Sequence, residues 1–175
     1  MKKIHLFHYF VFFVFFAFAA CQSCKKDDTP PVPNEKHNYF ACKVDGKHWE
    51  TCGPINMSWI TAQYFSGSYF DIEAHNSCEI ENSIIYLKIF GLNDTGTFVL
   101  GGLSNNFGYY SIGTASLQRE YYTDTTHTGV VHVSKFEMSG QKISGTYNFN
   151  AFYIDSNKTI SITDGNFENV QFYKY

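Results

Sequence analysis

The chain has 175 residues and a formal net charge of −3, and it carries 18 Phe, 13 Tyr and 2 Trp. That length suits one domain with a sizeable core, and the absence of a basic stripe argues against nucleic acid as a partner. Aromatic richness of this kind favours pleated, half-buried surfaces.

Met1 is followed by Lys2 and Lys3, and Ile4 to Ala20 is almost wholly apolar. A charged start, an apolar stretch and closing small residues have the order of a secretory signal. A spanning helix needs roughly 20 apolar residues, and this run is slightly shorter. Phe18-Ala19-Ala20-Cys21 resembles a lipobox, in which the cysteine thiol receives diacylglycerol. Residues 1–20 are therefore read as a lipoprotein signal peptide and Cys21 as the lipidated residue. Cys24 is the alternative, behind the poorer Cys21-Gln22-Ser23. Cys24-Lys25-Lys26-Asp27-Asp28 looks like the mature start of Bacteroidetes lipoproteins, where such charges resemble a signal for export to the cell surface. The implied address is the outer membrane, lipid-anchored, on its external face. Loss of Lys2 and Lys3 leaves the mature chain two units more negative. Residues 21–37 hold three of the four prolines among charged residues, a composition that opposes packing and reads as a disordered tether.

Residues 38–175 read as a single all-β domain. Tyr39 to Val44, Asp45-Gly46 and Lys47 to Thr51 form a hairpin pattern, Asp-Gly supplying the positive φ angles of a tight primed turn. Ser68 to His75 alternates, with Phe70, Ile72 and Ala74 against Tyr69, Asp71, Glu73 and His75. Ser83 to Phe90 sets Ile85, Leu87 and Ile89 against Ile84, Tyr86 and Lys88, which predicts cover on both sides. Gly96 to Leu100, Tyr109 to Ile112, Ala115 to Tyr122 and Gly129 to Glu137 follow. Lys142 to Tyr153 then alternates through Ile143, Gly145, Tyr147, Phe149 and Ala151. Thr159 to Thr163 and Asn166 to Tyr173 close the series as two further strands. Short strands between Gly, Asn, Asp and Ser, with no helical periodicity, predict an antiparallel β-sandwich, with a β-barrel as the alternative.

Cys42, Cys52 and Cys78 fall within this domain. In the Asp45-Gly46 register Cys42 faces Trp49, and Cys42 and Cys52 lie on opposite faces of the ribbon, where no disulfide can span them. The expected bridge is therefore Cys42 with Cys78; three buried free thiols is the other reading.

Val44-Asp45-Gly46-Lys47-His48-Trp49 stands near the front of the domain. Ile143-Ser144-Gly145-Thr146-Tyr147-Asn148-Phe149 and Ile162-Thr163-Asp164-Gly165-Asn166-Phe167 follow in order. Together with the signal segment, these resemble a group of uncharacterised Bacteroidetes surface lipoproteins. The resemblance implies a secreted all-β domain of unknown function and brings no catalytic residues.

No chemistry is written plainly in the chain. The histidines lack the spacing of a zinc site, so no metal and no cofactor are expected. There is no Gly-x-Ser-x-Gly elbow. Asp71 with Glu73, and Glu79 with Glu81, share strand faces and read as solvated edges before they read as glycoside-cleaving pairs. Asp124-Thr125-Thr126 resembles the sequon at which Bacteroidetes glycosylate secreted proteins, making Thr125 a candidate O-glycan acceptor. Phe107, Tyr109 and Tyr110, in an aromatic loop, and the stretch Trp59 to Tyr69 are candidate ligand contacts, against the plainer reading of strand packing.

The expected function is a lipid-anchored, non-catalytic binding or adhesion module. It would meet the membrane through its lipid and a glycan or protein at the cell surface through its domain. The alternatives are a barrel carrying a small apolar ligand and a secreted hydrolase with dispersed carboxylates.

Overall fold

The computed structural model describes residues 38–54, 58–114 and 117–175; the expected signal peptide, Cys21, Cys24 and the tether lie outside them. Among the described residues there are twelve strands and no helix. They are β1 (Tyr39–Val44), β2 (Lys47–Glu50), β3 (Ile60–Phe65), β4 (Tyr69–Asn76), β5 (Asn82–Phe90), β6 (Gly96–Leu100), β7 (Phe107–Thr114), β8 (Leu117–Tyr122), β9 (Gly129–Glu137), β10 (Lys142–Tyr153), β11 (Lys158–Gln171) and β12 (Tyr173–Lys174). One hydrogen-bonded path runs β12-β3-β4-β5-β7-β8-β10-β11-β1-β2, and β9 with β6 branches from β10. The result is a curled, open sheet, a half-barrel.

The curl has a local cause. β10 and β11 pair along almost their whole lengths, with register shifts between Ile143 and Gly145 and between Tyr147 and Phe149. Opposite these shifts, Asn169 and Asp164 take positive φ angles of 48° and 53°. An extra residue on one strand bends it and raises its twist. The stretch around Asp164-Gly165, expected as a break between two strands, is thus a bulge inside one continuous β11. Gly145 sits where the strands crowd: a Cβ there would meet the His132 carbonyl and the Phe167 ring.

The first hairpin forms as expected. Asp45 and Gly46 have φ of 48° and 79°, and Cys42 pairs with Trp49 and Val44 with Lys47. The pairing is antiparallel throughout the path except at β12, which crosses from the end of β11 to lie parallel to β3. The expected cover on both sides of β5 is partial. Ile85, Leu87 and Ile89 are buried within, while Ile84, Tyr86 and Lys88 on the outer face are half-buried.

Aromatic rings fill the inside in tiers. At the end where the described chain begins, Phe172 packs against Tyr64 at 6.1 Å, Phe70 at 5.6 Å and Phe136 at 5.5 Å. In the middle, Phe40 meets Tyr147 at 4.9 Å and Phe167 at 6.3 Å. Toward the other end, Tyr121 meets Tyr110 at 5.9 Å and Tyr153 at 5.4 Å. Each fully buried ring stabilises the fold by about 1.5–3 kcal/mol.

The outer edge of β6 is capped by its own neighbourhood. The Val99 carbonyl accepts from Ser104 Oγ at 2.8 Å and from Asn106 Nδ2 at 2.9 Å.

The cysteine pairing differs from expectation. Cys78 bridges Cys52, with Cα atoms 5.6 Å apart, and Cys42 is a free, buried thiol. The alternation argument correctly separated Cys42 from Cys52 but assumed that the hairpin ladder continues. Instead the chain leaves β2 after Glu50, and Cys52 lies beside the end of β4, its N–H donating to the His75 carbonyl at 3.2 Å. That position brings Cys52 to Cys78, two residues beyond Asn76. Cys42 points into the core near Tyr147, where burial pushes its thiol up to about 12.

Alkylation of the denatured, unreduced protein is therefore expected to label Cys42 and spare Cys52 and Cys78, as read by peptide mapping. The bridge closes a segment with a sequence separation of 26. Cys52→Ser with Cys78→Ser is expected to lower unfolding free energy by about 3 kcal/mol in a denaturant titration.

Candidate functional site

Period-two alternation sends neighbouring residues of a strand to opposite faces, and this sorts the aromatic residues of β7. Phe107 and Tyr109 lie on the outer face and are half-buried; Tyr110 faces inward and is 5% exposed. The three therefore do not form one contact surface, and the segment is strand rather than loop. Tyr110 belongs with the interior rings.

Register assembles the outer face. Glu73 pairs with Tyr86, Tyr86 with Tyr109, and Tyr109 with Tyr122, so one cross-strand row carries three tyrosines. The Tyr109 and Tyr122 rings are 4.8 Å apart. In neighbouring rows Tyr86 meets Phe107 at 5.6 Å and Tyr69 meets Phe90 at 5.8 Å.

The phenols of the row are held by carboxylates. Tyr86 donates to Asp71 at 3.1 Å. Glu120 accepts from Tyr109 at 3.2 Å and from Tyr122 at 2.8 Å. Burial raises the titration of all three phenols, with the nearby carboxylates adding to it, and Tyr122 reaches about 12. They are neutral donors at ordinary pH. Burial also raises Asp71, with the Tyr86 hydrogen bond pulling the other way, whereas the hydrogen bond from His75 holds Glu73 down. His75 Nε2 is 2.7 Å from Glu73, and Lys88 Nζ sits 3.7 Å from the centroid of the Tyr69 ring. Asp71 and Glu73, weighed as a catalytic pair, point the same way from one strand and are each engaged by a neighbour. Glu81 is engaged by Arg119 at 2.7 Å, and Glu79 lines the groove described next.

That groove, of about 290 Å³, is lined by the end of β1, the start of β2, β7, β8 and the start of β11, with Glu79 from the segment between β4 and β5. Its floor is Trp49, Tyr110, Tyr121 and Ile160, and Lys47 and Lys158 stand at its rim. Trp49 Nε1 donates to Ser83 Oγ at 2.8 Å, which satisfies the indole of the floor.

The turn between β8 and β9 is built on Asp124. Its Oδ1 accepts from the backbone N–H of Thr126 at 2.7 Å and of His127 at 2.6 Å. The His127 ring lies 2.9 Å from Asp124 Oδ2 through Nδ1 and stacks on Phe152 at 4.9 Å. Thr125, the candidate glycan acceptor, is exposed in this turn. Among the described residues, no group of three or more His, Cys, Asp or Glu is placed to hold a metal ion. In the Trp59 to Tyr69 stretch, the Phe65 and Tyr69 rings meet at 4.5 Å in a tilted contact, and Trp59 Nε1 donates to the Pro54 carbonyl at 3.1 Å.

Sequence reasoning missed Tyr86, Tyr122 and Glu120 as partners of Tyr109. A register between β5, β7 and β8 was needed to align them. It also missed the groove, whose lining comes from five strands, the turn between β1 and β2 and the segment between β4 and β5.

A family model described as a domain of unknown function, DUF6252, matches residues 38–171. No curated protein matches the chain, and no solved structure does.

Hydrogen bonds from the His127 backbone, then its ring, hold Asp124 at about 2, below the ordinary 3.8. A depressed carboxyl stabilises the fold above its unfolded value and ceases to do so as pH falls through the folded one. Asp124→Asn is therefore expected to lower the thermal unfolding midpoint at pH 7. Its gap to the parent protein is expected to narrow between about pH 4 and pH 2, as read by melting curves across that range.

Proposed function

The chain belongs to the DUF6252 family of domains of unknown function, and for this member we propose a non-catalytic module that binds a neutral saccharide chain across its outer tyrosine row. We also propose that it is a Bacteroidetes-type surface lipoprotein, held at the external face of the outer membrane by a lipid on Cys21, with Cys24 as the alternative. Of the two all-β architectures, we favour the barrel over the sandwich, because one hydrogen-bonded path links β12 to β2.

The observation that carries the binding reading is the row Tyr86–Tyr109–Tyr122, with Asp71, Glu73 and Glu120 beside it. Ring faces offer a rigid apolar surface with a polar tip. Carboxylates are strong acceptors for hydroxyl groups. Aromatic and carboxylate groups together suit a ligand with apolar C–H faces and many hydroxyls. The three carboxylates would repel an acidic glycan, which is why we take the ligand to be neutral. Strands about 4.8 Å apart set the ring spacing, so an extended chain lying across the strands meets one tyrosine after another.

The alternative of a central carrier cavity is weaker, because Phe40, Tyr147, Phe149 and Phe167 occupy the middle of the interior. The hydrolase alternative is weaker because Asp71 and Glu73 do not face each other across a cleft.

A glycan array probed with the purified protein tests the reading. Neutral oligosaccharides are expected to bind, and Tyr109→Ala with Tyr122→Ala is expected to weaken binding tenfold or more. Leu103→Ser, an exposed change in the segment between β6 and β7, is expected to leave binding intact. A flat array, or equal binding by the tyrosine variant, removes the proposal.

A further inference from the structure

We propose that the groove floored by Trp49, Tyr110, Tyr121 and Ile160 is a second binding site, for a small molecule with a carboxylate head and an apolar body. The site is separate from the tyrosine row: it lies on the inner face, lined by side chains of opposite orientation on the same strands.

The floor accepts an apolar body. Trp49, Tyr110 and Tyr121 present ring surface and are each about 95% buried, with exposures of 5%, 5% and 3%. The indole N–H is spent on Ser83 Oγ, and the Tyr110 hydroxyl also hydrogen-bonds Ser83. The floor therefore has little left to offer a hydroxyl-rich ligand. Above it the wall is aliphatic. Ile112 follows Tyr110 on the inner face of β7, and Leu117 shares the face of Arg119 and Tyr121 on β8. Leu117 is 79% exposed and lies outside the lining itself. Ile80, wholly exposed, stands in an adjoining hollow that shares Ile112 and Glu79 with the groove. Aliphatic side chains in the open, continuous with an aromatic floor, form a wall that gains by being covered.

The charges select the head group. Arg119 is neutralised by Glu81 at 2.7 Å, and Asp45 accepts the Ser161 N–H at 2.9 Å. Among the described residues, Lys47 and Lys158 have no carboxylate partner. They are the first residues of two separate strands that flank the groove, β2 and β11. Two unpaired ammonium groups beside an apolar floor complement a carboxylate attached to an apolar body. Among the described residues, Glu79 is the one carboxylate of the lining without a partner. It decides between two sources of such a ligand: it would oppose a fatty acid and would favour the ammonium group of an apolar amino acid.

The test titrates the full chain with decanoate, decanol and phenylalanine, reading heat and tryptophan emission, since Trp49 lies in the floor. Decanoate or phenylalanine is expected to bind, with decanol at least tenfold weaker than decanoate if decanoate is the better ligand. Lys47→Gln with Lys158→Gln is expected to weaken the carboxylate ligand tenfold or more. Both lysines are exposed, and an unchanged melting curve will verify that the variant folds. Glu79→Gln separates the sources: tighter decanoate marks the fatty acid, weaker phenylalanine the amino acid, and either supports the site. Failure of both decanoate and phenylalanine to bind, decanol as tight as the better of the two, or indifference of that ligand to the lysine variant overturns the proposal.

Discussion

The pairing of β10 with β11 governs the rest of the molecule. It is the longest ladder in the sheet, running from Lys142 opposite Gln171 to Tyr153 opposite Lys158. It is also twice interrupted, at Asp164 and Asn169, where the backbone enters the left-handed region. A flat ladder of that length would make a flat sheet. The two bulges turn it into a curl, and the curl makes an inside and an outside from one layer. Inside, rings from opposite walls come close enough to stack. Outside, among the described residues, the face that the curl turns away from the core has no second layer over it, and its tyrosines bond carboxylates of the same face.

Inner and outer faces thus have different chemistries drawn from the same strands. Along β7, Tyr109 is held by Glu120 while Tyr110 is bonded to Ser83 inside. Each phenol has a partner, as a buried or half-buried hydroxyl requires. The partners differ in charge. The outer phenols lie beside carboxylates, so that face is acidic and rich in acceptors. Among the described residues, the groove end has unpaired positive charge at the exposed starts of β2 and β11, on long side chains that can swing toward a ligand or away from it.

Much of this was legible in the sequence, for physical reasons that can be named. Asp45-Gly46 forces a primed turn, and the turn fixes the register of Cys42 with Trp49. Alternation in β4, β5 and β10 marked Phe70, Ile85 and Tyr147 as interior, since a half-buried strand records its burial every second residue. Bulges were not legible. Asp164-Gly165 has the composition of a turn, and only the continuous partner strand β10 makes it a bulge. The disulfide was not legible either, because Cys52 reaches Cys78 only after the chain departs from a ladder that local sequence would let continue. Of the candidate contacts, Phe107 and Tyr109 stayed together and Tyr110 parted from them. Tyr109 and Tyr110 were already expected in a strand, Tyr109 to Ile112, whose period of two sends them to opposite faces; extending that strand back to Phe107 puts Phe107 with Tyr109. The groove depends on strands that are distant in sequence and share no motif.

An open sheet has edges, and edges polymerise. A strand with unpaired backbone groups is a template for a neighbour's strand. At β6, Ser104 and Asn106 occupy the Val99 carbonyl, so the position where a second chain would begin its ladder is already bonded. That small cap limits edge-to-edge growth, so two copies that meet at β6 find a bonded carbonyl where a new ladder would start.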